Sequence, residues 1–356
     1  MEQRSNEERP DPASMTEAEL TEYVISHGWP RFRASQIFGW FHKNRVQDPA
    51  EMKNLPADIR NALAEDCRYV REWRRLASKE DGTVKFLFQL VDGQILETVF
   101  MPYHHGNSLC ISSQAGCRMG CRFCASTIGG LVRNLKPSEM LGQVYQAVNL
   151  TGQRVDNIVV MGTGEPLDNY PNLIRFLNLV SDPKGYNLSL RSITVSSCGL
   201  VPKIRSLAEE GLPITFALSL HAATDEERKA LMPIASRYTI RETLDACRYY
   251  FEQTHRRVTF EYSLVSGVND TAAHAERLAG LLRPLHGHVN LIPVNPIEER
   301  DFRRSDDGTI VKFKNILEKN HINVTIRRSM GRDIDAACGQ LRLHAMQEEG
   351  SSFTTK

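Results

Sequence analysis

Hydrophobic positions recur in two rhythms along the chain. From residue 15 to about 80 they fall three or four apart, the helical period. In SMTEAELTEYVISHG a cap at Ser14 or Thr16 precedes Leu20, Tyr23 and Val24 on one face. RASQIFGWFHKN and MKNLPADIRNALAED continue the set, which predicts a small helical module over 15–80. From about residue 82 the rhythm changes. TVKFLFQL and QILETVFM alternate around VDGQ, a hairpin signal. Apolar strands then take turns with amphipathic helices. The strands are SLCISSQ, NIVVMG, SITVSS, ITFALSLH, VTFEYSLV, HVNLIPVNP and NVTIRRS. Between them lie SEMLGQVYQAVNLTG, NYPNLIRFLNLVSD, VPKIRSLAEEG, IRETLDACRYYFEQTH, AAHAERLAGLLRPL and VKFKNILEKNH. Such alternation means a parallel sheet covered by helices. About six units are fewer than a closed eightfold barrel needs, so an α/β fold with a partial, open βα barrel is expected over 81–345. Its chemistry belongs at the C-terminal ends of the strands.

Composition narrows this picture. No run approaches the ~20 apolar residues of a membrane span, so no membrane is expected. The polar N-terminus, MEQRSNEERPDPAS, is unlike a signal peptide; residues 1–14 and the tail 346–356 are expected to be disordered. Eight cysteines in 356 residues are too sparse for a secreted disulfide scaffold and suit a reducing cytoplasm. The net charge of +1 gives no global argument for nucleic acid, so any RNA surface must be local. The helical module offers one, with Arg31, Arg33, Trp40, His42, Lys43 and Arg45 interleaved. A solvated helix face explains those residues equally well.

The candidate chemistry centres on CRMGCRFC, where Cys117, Cys121 and Cys124 follow the first barrel strand. A structural zinc site takes four protein ligands, and a cubane iron–sulfur cluster has four metal corners. Three thiols leave one corner open for a substrate. Zinc completed by Cys110, His104 or His105 is the alternative, although no second knuckle-type ligand pair follows. Further polar groups end the next strands: Gly162, Gly164 and Glu165 in MGTGEPL, Ser196 in TVSSCG, Ser219, Leu220 and His221 in LSLHA, and Asn295 in IPVNP. The glycines let backbone approach a ligand closely, and the carboxylate suits an ammonium group. Any one of them also fits a loop cap. Glu97 fits the exposed face of an alternating strand, and Cys110 a buried strand thiol. Cys67 and Cys247 are read as structural, and Cys198 as an extra thiol near the site.

The CxxxCxxC run resembles the cluster motif of radical S-adenosylmethionine enzymes, and MGTGEP falls at their methionine-binding position. With FRASQI, ETVFMP, LMPI, VNLIPVNP and the C-terminal GRDIDAACGQL, the whole chain resembles the RlmN family, the adenine-C2 methyltransferases of 23S rRNA and tRNA. Departures are small: Thr163 stands where Met is common, and Cys198 where Ser or Thr is expected. The resemblance implies a radical SAM barrel and a 4Fe-4S cluster on Cys117, Cys121 and Cys124. It implies S-adenosylmethionine on Gly164, Glu165, Ser196, Ser219, Leu220, His221 and Asn295, two molecules being used per turnover. It further implies Cys338 as the methyl carrier, Cys110 as its resolving partner through a transient disulfide, and Glu97 as proton acceptor. The substrates implied are the peptidyl-transferase centre of 23S rRNA and the tRNA adenine next to the anticodon. A monomer served by a flavodoxin or ferredoxin is expected. The adenine-C8, Cfr-type branch shares the cysteines and the tail. A zinc-stabilised RNA-binding protein without catalysis would leave Glu165, Cys110 and Cys338 without work.

Overall fold

The computed structural model describes residues 10–285, 287–294, 302–328 and 330–334. Three helices open the chain: α1 (Glu17–Ser26), α2 (Arg33–Phe38) and α3 (Ala57–Asp66). Thr16 starts α1 with a capping box, its hydroxyl accepting from the Glu19 amide while the Glu19 carboxylate accepts from the Thr16 amide. Residues 12–14 are ordered, contrary to what the polar composition suggested. Pro12–Ser14 forms a helical turn, and buried Asp11 accepts a hydrogen bond from Ser138 Oγ at 2.6 Å.

The strands are β1 (Val70–Ala77), β2 (Val84–Leu90), β3 (Ile95–Tyr103), β4 (Gly106–Cys110), β5 (Gln114–Gly116), β6 (Leu131–Asn134), β7 (Asn157–Val160), β8 (Ile193–Ser197), β9 (Thr215–Ser219), β10 (Thr259–Leu264), β11 (His288–Pro293) and β12 (Asn323–Ile326). All but β5 and β6 join one ten-stranded sheet in the order β1-β2-β3-β4-β7-β8-β9-β10-β11-β12. The first four strands pair antiparallel, and from β4 onward every pairing is parallel. Pairing does not return from β12 to β1 among the described residues, so the barrel stays open. The crossovers carry α4 (Pro137–Thr151), α5 (Tyr170–Ser181), α6 (Val201–Glu209), α7 (Asp225–Leu231), α8 (Ile240–Thr254), α9 (Ala272–Leu282) and α10 (Asp307–Lys319).

One element corrects the expected helical module. Residues 70–77 form the edge strand β1, whose Arg, Glu, Leu and Ala content favours helix locally. Pairing along β2 overrides that preference, and a bulge between Glu72 and Arg74 breaks the alternation that would have revealed the strand.

The pleat sorts the side chains. Phe86, Phe88, Phe100, Leu109, Ile158, Val195, Phe216, Leu218, Phe260 and Tyr262 join the main core under the helices. The intervening positions point to the other, inner face, where Glu97, Val99, Cys110, Ser196, Ser219, Glu261 and Ser263 lie.

Candidate active site

The loop after β4 is pinned before its cysteines begin. β5 pairs with β6, and the Cys117 amide donates to the Gly130 carbonyl at 2.8 Å. Gly116 has φ of 84°, and a Cβ there would sit 2.0 Å from the Gly130 oxygen, so only glycine fits. Cys117, Cys121 and Cys124 then line one pocket of about 810 Å³, part of it open to solvent. The loop rests on Leu231 and Met232, with Met119, Phe123 and Ile234 around them, an apolar bed beneath Cys121. Burial pushes the Cys117 thiol up to about 12 and raises Cys121 too, with Cys124 and Glu165 adding to both. Thiols held neutral in this way ionise when a metal replaces the proton. Among the described residues no three His, Cys, Asp or Glu side chains gather around a single ion. A cubane does not require that, because each thiolate takes a different corner. His105 stacks on Tyr103 and meets His104 edge-on, and neither histidine lines this pocket, nor does Cys110, so the zinc set is not assembled.

The strand ends complete the wall. Gly162, Gly164, Glu165, Ser196, Ser219 and His221 all line the pocket. The two glycines have a second reason beyond ligand approach. A Cβ on Gly162 would meet the Ile111 backbone at 2.8 Å, and one on Gly164 would meet Gln114 and Ser113 at 2.7 Å. Glu165 is buried, and its oxygens accept from the Leu167 amide at 3.1 Å and the Cys198 amide at 2.8 Å. Desolvation raises its carboxyl, and those amides offset only part of the rise. Ser196 Oγ donates to the Val160 carbonyl at 3.0 Å.

His221 occupies the left-handed region at φ of 58°, uncommon outside glycine although histidine is among the side chains that adopt it most readily. The Ser263 amide donates to its Nδ1 at 3.0 Å, which puts the ring proton on Nε2. Burial, then the nearby Arg228 charge, holds the imidazole down at about 3, so it stays neutral and offers an Nε2–H donor. Leu220 is placed differently. Its side chain is buried in the main core and does not line the pocket, and its amide donates to the Glu261 carbonyl at 3.0 Å.

Glu261 and Arg228 are among the residues here that were not foreseen. Glu261 lines the pocket, held by Asn290 Nδ2 at 2.9 Å, and desolvation raises its carboxyl. An acid inside the apolar run VTFEYSLV was a legible signal. Arg228 is fully buried and donates to the carbonyls of Cys198, Ser219 and Leu220, tying the loops after β8 and β9 together. Nothing local in DEERKAL marks it.

Neither Glu97 nor Cys110 lines the pocket. Glu97 is buried on the inner face and pairs with buried Lys85 at 3.2 Å, which replaces the expected exposed position. Cys110 packs with Val99, Met101 and Met330, and with Met161, which also lines the pocket. Asn295 and Cys338 lie outside the described residues. The segment leading toward Cys338 is anchored: the Gly331 amide donates to Asp81 Oδ2 at 2.8 Å, and the Lys79 amide to Asp333 Oδ2 at 2.9 Å.

Of the residues in the basic helical face, Arg31 and Lys43 are exposed and Arg33 is half-buried over the Phe32 ring. His42 is not part of that face. It is fully buried, hydrogen-bonded to Tyr145 at 3.0 Å, and burial holds it at about 3.

Residues 111–279 match the Radical SAM superfamily, and residues 13–68 match the Ribosomal RNA large subunit methyltransferase N-terminal domain. The chain is 59% identical, over 94% of its length and 95% of the relative's, to a probable dual-specificity RNA methyltransferase RlmN of Lachnoclostridium phytofermentans. A protein of the same description from Geobacillus kaustophilus is 51% identical over 96% of this chain and 94% of its own. The crystal structure of a radical SAM methyltransferase from Sphaerobacter thermophilus superposes with a TM-score of 0.89 at 44% identity, covering 93% of this chain and 98% of that one.

Proposed function

The chain belongs to the radical SAM superfamily and, within it, to the RlmN-type dual-specificity RNA methyltransferases, and from that premise we propose that it methylates carbon 2 of adenine in 23S rRNA and in tRNA. That carbon has no lone pair to attack a sulfonium methyl and carries a non-acidic hydrogen, so polar transfer fails and a radical route is required. A 4Fe-4S cluster with S-adenosylmethionine supplies that chemistry when bound, two molecules of the latter being used per turnover.

The protein's part is to hold and to resolve. Cys117, Cys121 and Cys124, which line one pocket over an apolar bed, would hold the cluster. Gly164 and Glu165 offer backbone and a fixed carboxylate to the methionine moiety; Ser196, Ser219, His221 and the Leu220 backbone, with Asn295, hold the rest of the cosubstrate. Cys338 carries the methyl group to the base. Glu97 accepts the proton lost from carbon 2, and Cys110 attacks the Cys338 sulfur, forming a disulfide between the two cysteines as the bond from that sulfur to the transferred carbon breaks; that carbon takes up a proton, and the methylated base leaves. An electron donor of the flavodoxin or ferredoxin class serves the enzyme, which works as a monomer in the cytoplasm.

One observation carries this reading: the three cysteines, Glu165 and His221 share a pocket, and Met161 joins that pocket to Cys110. Met330, eight residues before Cys338, packs in the same group as Cys110. The test compares two variants purified without oxygen. Cys338→Ala should place no methyl on protein or RNA. Cys110→Ala should accumulate protein joined to RNA through Cys338, seen as a nuclease-sensitive shift on a denaturing gel. Normal turnover by Cys110→Ala without any crosslink removes Cys110 from the mechanism. Digestion of the RNA product to nucleosides decides the position, since 8-methyladenosine in place of 2-methyladenosine refutes the carbon-2 assignment.

A further inference from the structure

The segment around β1 carries charge that the chemistry above does not use. From Arg68 to Lys79 the chain has five basic residues and one acid. Arg75 is paired with that acid, Glu72, at 3.1 Å. Arg71 and Arg74 are exposed, and neither makes an ion pair among the described residues. Charge on an edge strand ordinarily keeps another sheet from docking. Two observations point further.

The first is register. Arg71 lies opposite Gln89 and Arg74 opposite Leu87, and Leu87 lies opposite Glu97 on β3. The bulged Trp73 packs on Leu87 and Ile95, so Trp73 shares the face of Leu87 and Glu97. Directly opposed residues share a face, which puts both arginines on the inner side with Glu97, Cys110 and the pocket. Arg74 and Glu97 are two strands apart, about 10 Å at the usual strand spacing. The second is composition. The Arg71 guanidinium lies 5.5 Å from the Tyr69 ring centroid, and the half-buried Trp73 adds a second aromatic. Cations beside aromatic rings are the equipment of a single-stranded RNA surface.

We propose that the inner face of β1, through Arg71 and Arg74, is a track for the RNA backbone that presents the target base to the pocket. The track rests on the assignment of RNA as substrate. Two cations there neutralise phosphates of the strand on its way to Glu97 and Cys110. The surface is separate from the helical face bearing Arg31 and Lys43.

The test is anisotropy of a fluorescein-labelled transcribed tRNA bound to the full-length protein across a series of KCl concentrations. Arg71→Ala/Arg74→Ala should weaken binding and lower the slope of log affinity against log salt by about two. Arg71→Lys/Arg74→Lys should keep most of that slope. The single variants should each lose about half of the effect, which keeps the result readable if the double variant folds poorly. Methylation of the protein's own cysteine in the absence of RNA should be unchanged in all of them. Arg205→Ala, on α6, serves as the control and should leave the slope as it is. If the wild type binds and the double variant matches it in affinity and slope, the track is refuted and the charges serve only to protect the edge. If the wild type does not bind RNA, the substrate assignment fails, and the track with it.

Discussion

His42 shows how far a single residue's surroundings can overturn its type. In sequence it belongs to a basic stretch, yet it is fully buried between α2 and α4 with Tyr145 as partner and the Phe38 and Phe41 rings around it. Burial lowers its titration from 6.5 to about 3, and His221 is lowered to the same level. The sign follows from which state binds the proton. Below pH 6.5 the unfolded chain protonates both rings while the folded chain leaves them neutral, so acid favours unfolding. This contribution is complete above pH 6.5 and is lost as pH falls toward about 3. Each ring adds a slope of about 1.4 kcal/mol per pH unit across that window. In urea titrations between pH 4 and 7, His42→Gln should therefore show a shallower fall in stability with acid than the wild type. Identical slopes would mean that His42 is protonated in the folded protein.

At the scale of elements, the turn between β1 and β2 holds the start of the C-terminal segment. Asp81 accepts from the Gly331 amide, and Asp333 accepts from the Lys79 amide. Desolvation opposes ionisation of Asp81, but hydrogen bonds from Gly331 and Thr83 outweigh it and hold the carboxyl down at about 2. Asp81→Ala should release this docking, with several-fold faster hydrogen exchange at Gly331 and slower methyl transfer to RNA, while iron content stays the same. Unchanged exchange at Gly331 would show that Asp333 anchors the segment alone. Most elements were legible because each strand kept its alternation and each long helix its stripe. What escaped the sequence depended on partners distant in the chain. β1 is a strand because β2 pairs with it, and His42 is buried because Tyr145 lies against it. The Lys85–Glu97 pair was within reach of register reasoning, since both flank the turn at VDGQ and share a face. Arg228 was not, because its carbonyl partners come from two other loops.

At the scale of the whole molecule, the N-terminal helices invite description as a detachable RNA-binding unit, and their packing argues against it. Leu20, Val24, Ile37, Phe38, Ile59 and Leu63 belong to the same continuous core as Leu141, Tyr145, Phe176 and Val180 of α4 and α5. Polar ties cross the same junction. Arg175 of α5 grips Glu19 with two hydrogen bonds, Ser138 holds Asp11, and Tyr145 meets His42. α4 also packs so closely on β1 that a Cβ on Gly142 would meet Val70 Cγ2 at 2.5 Å. A few apolar side chains buried there, at roughly 1.5–3 kcal/mol each, equal the ~5–15 kcal/mol that a domain commonly has in total. A chain starting at residue 69 should therefore aggregate, or lose its cooperative urea transition, instead of surviving as an enzyme that merely binds RNA weakly. Arg31→Ala/Lys43→Ala touches only exposed positions of the same helices and should unfold like the wild type, with RNA affinity alone reduced. Size-exclusion chromatography and urea titration of the two variants separate these outcomes. A monomeric truncated chain with a sharp transition would show that the catalytic body folds alone, and that the shared core contributes less than its burial implies.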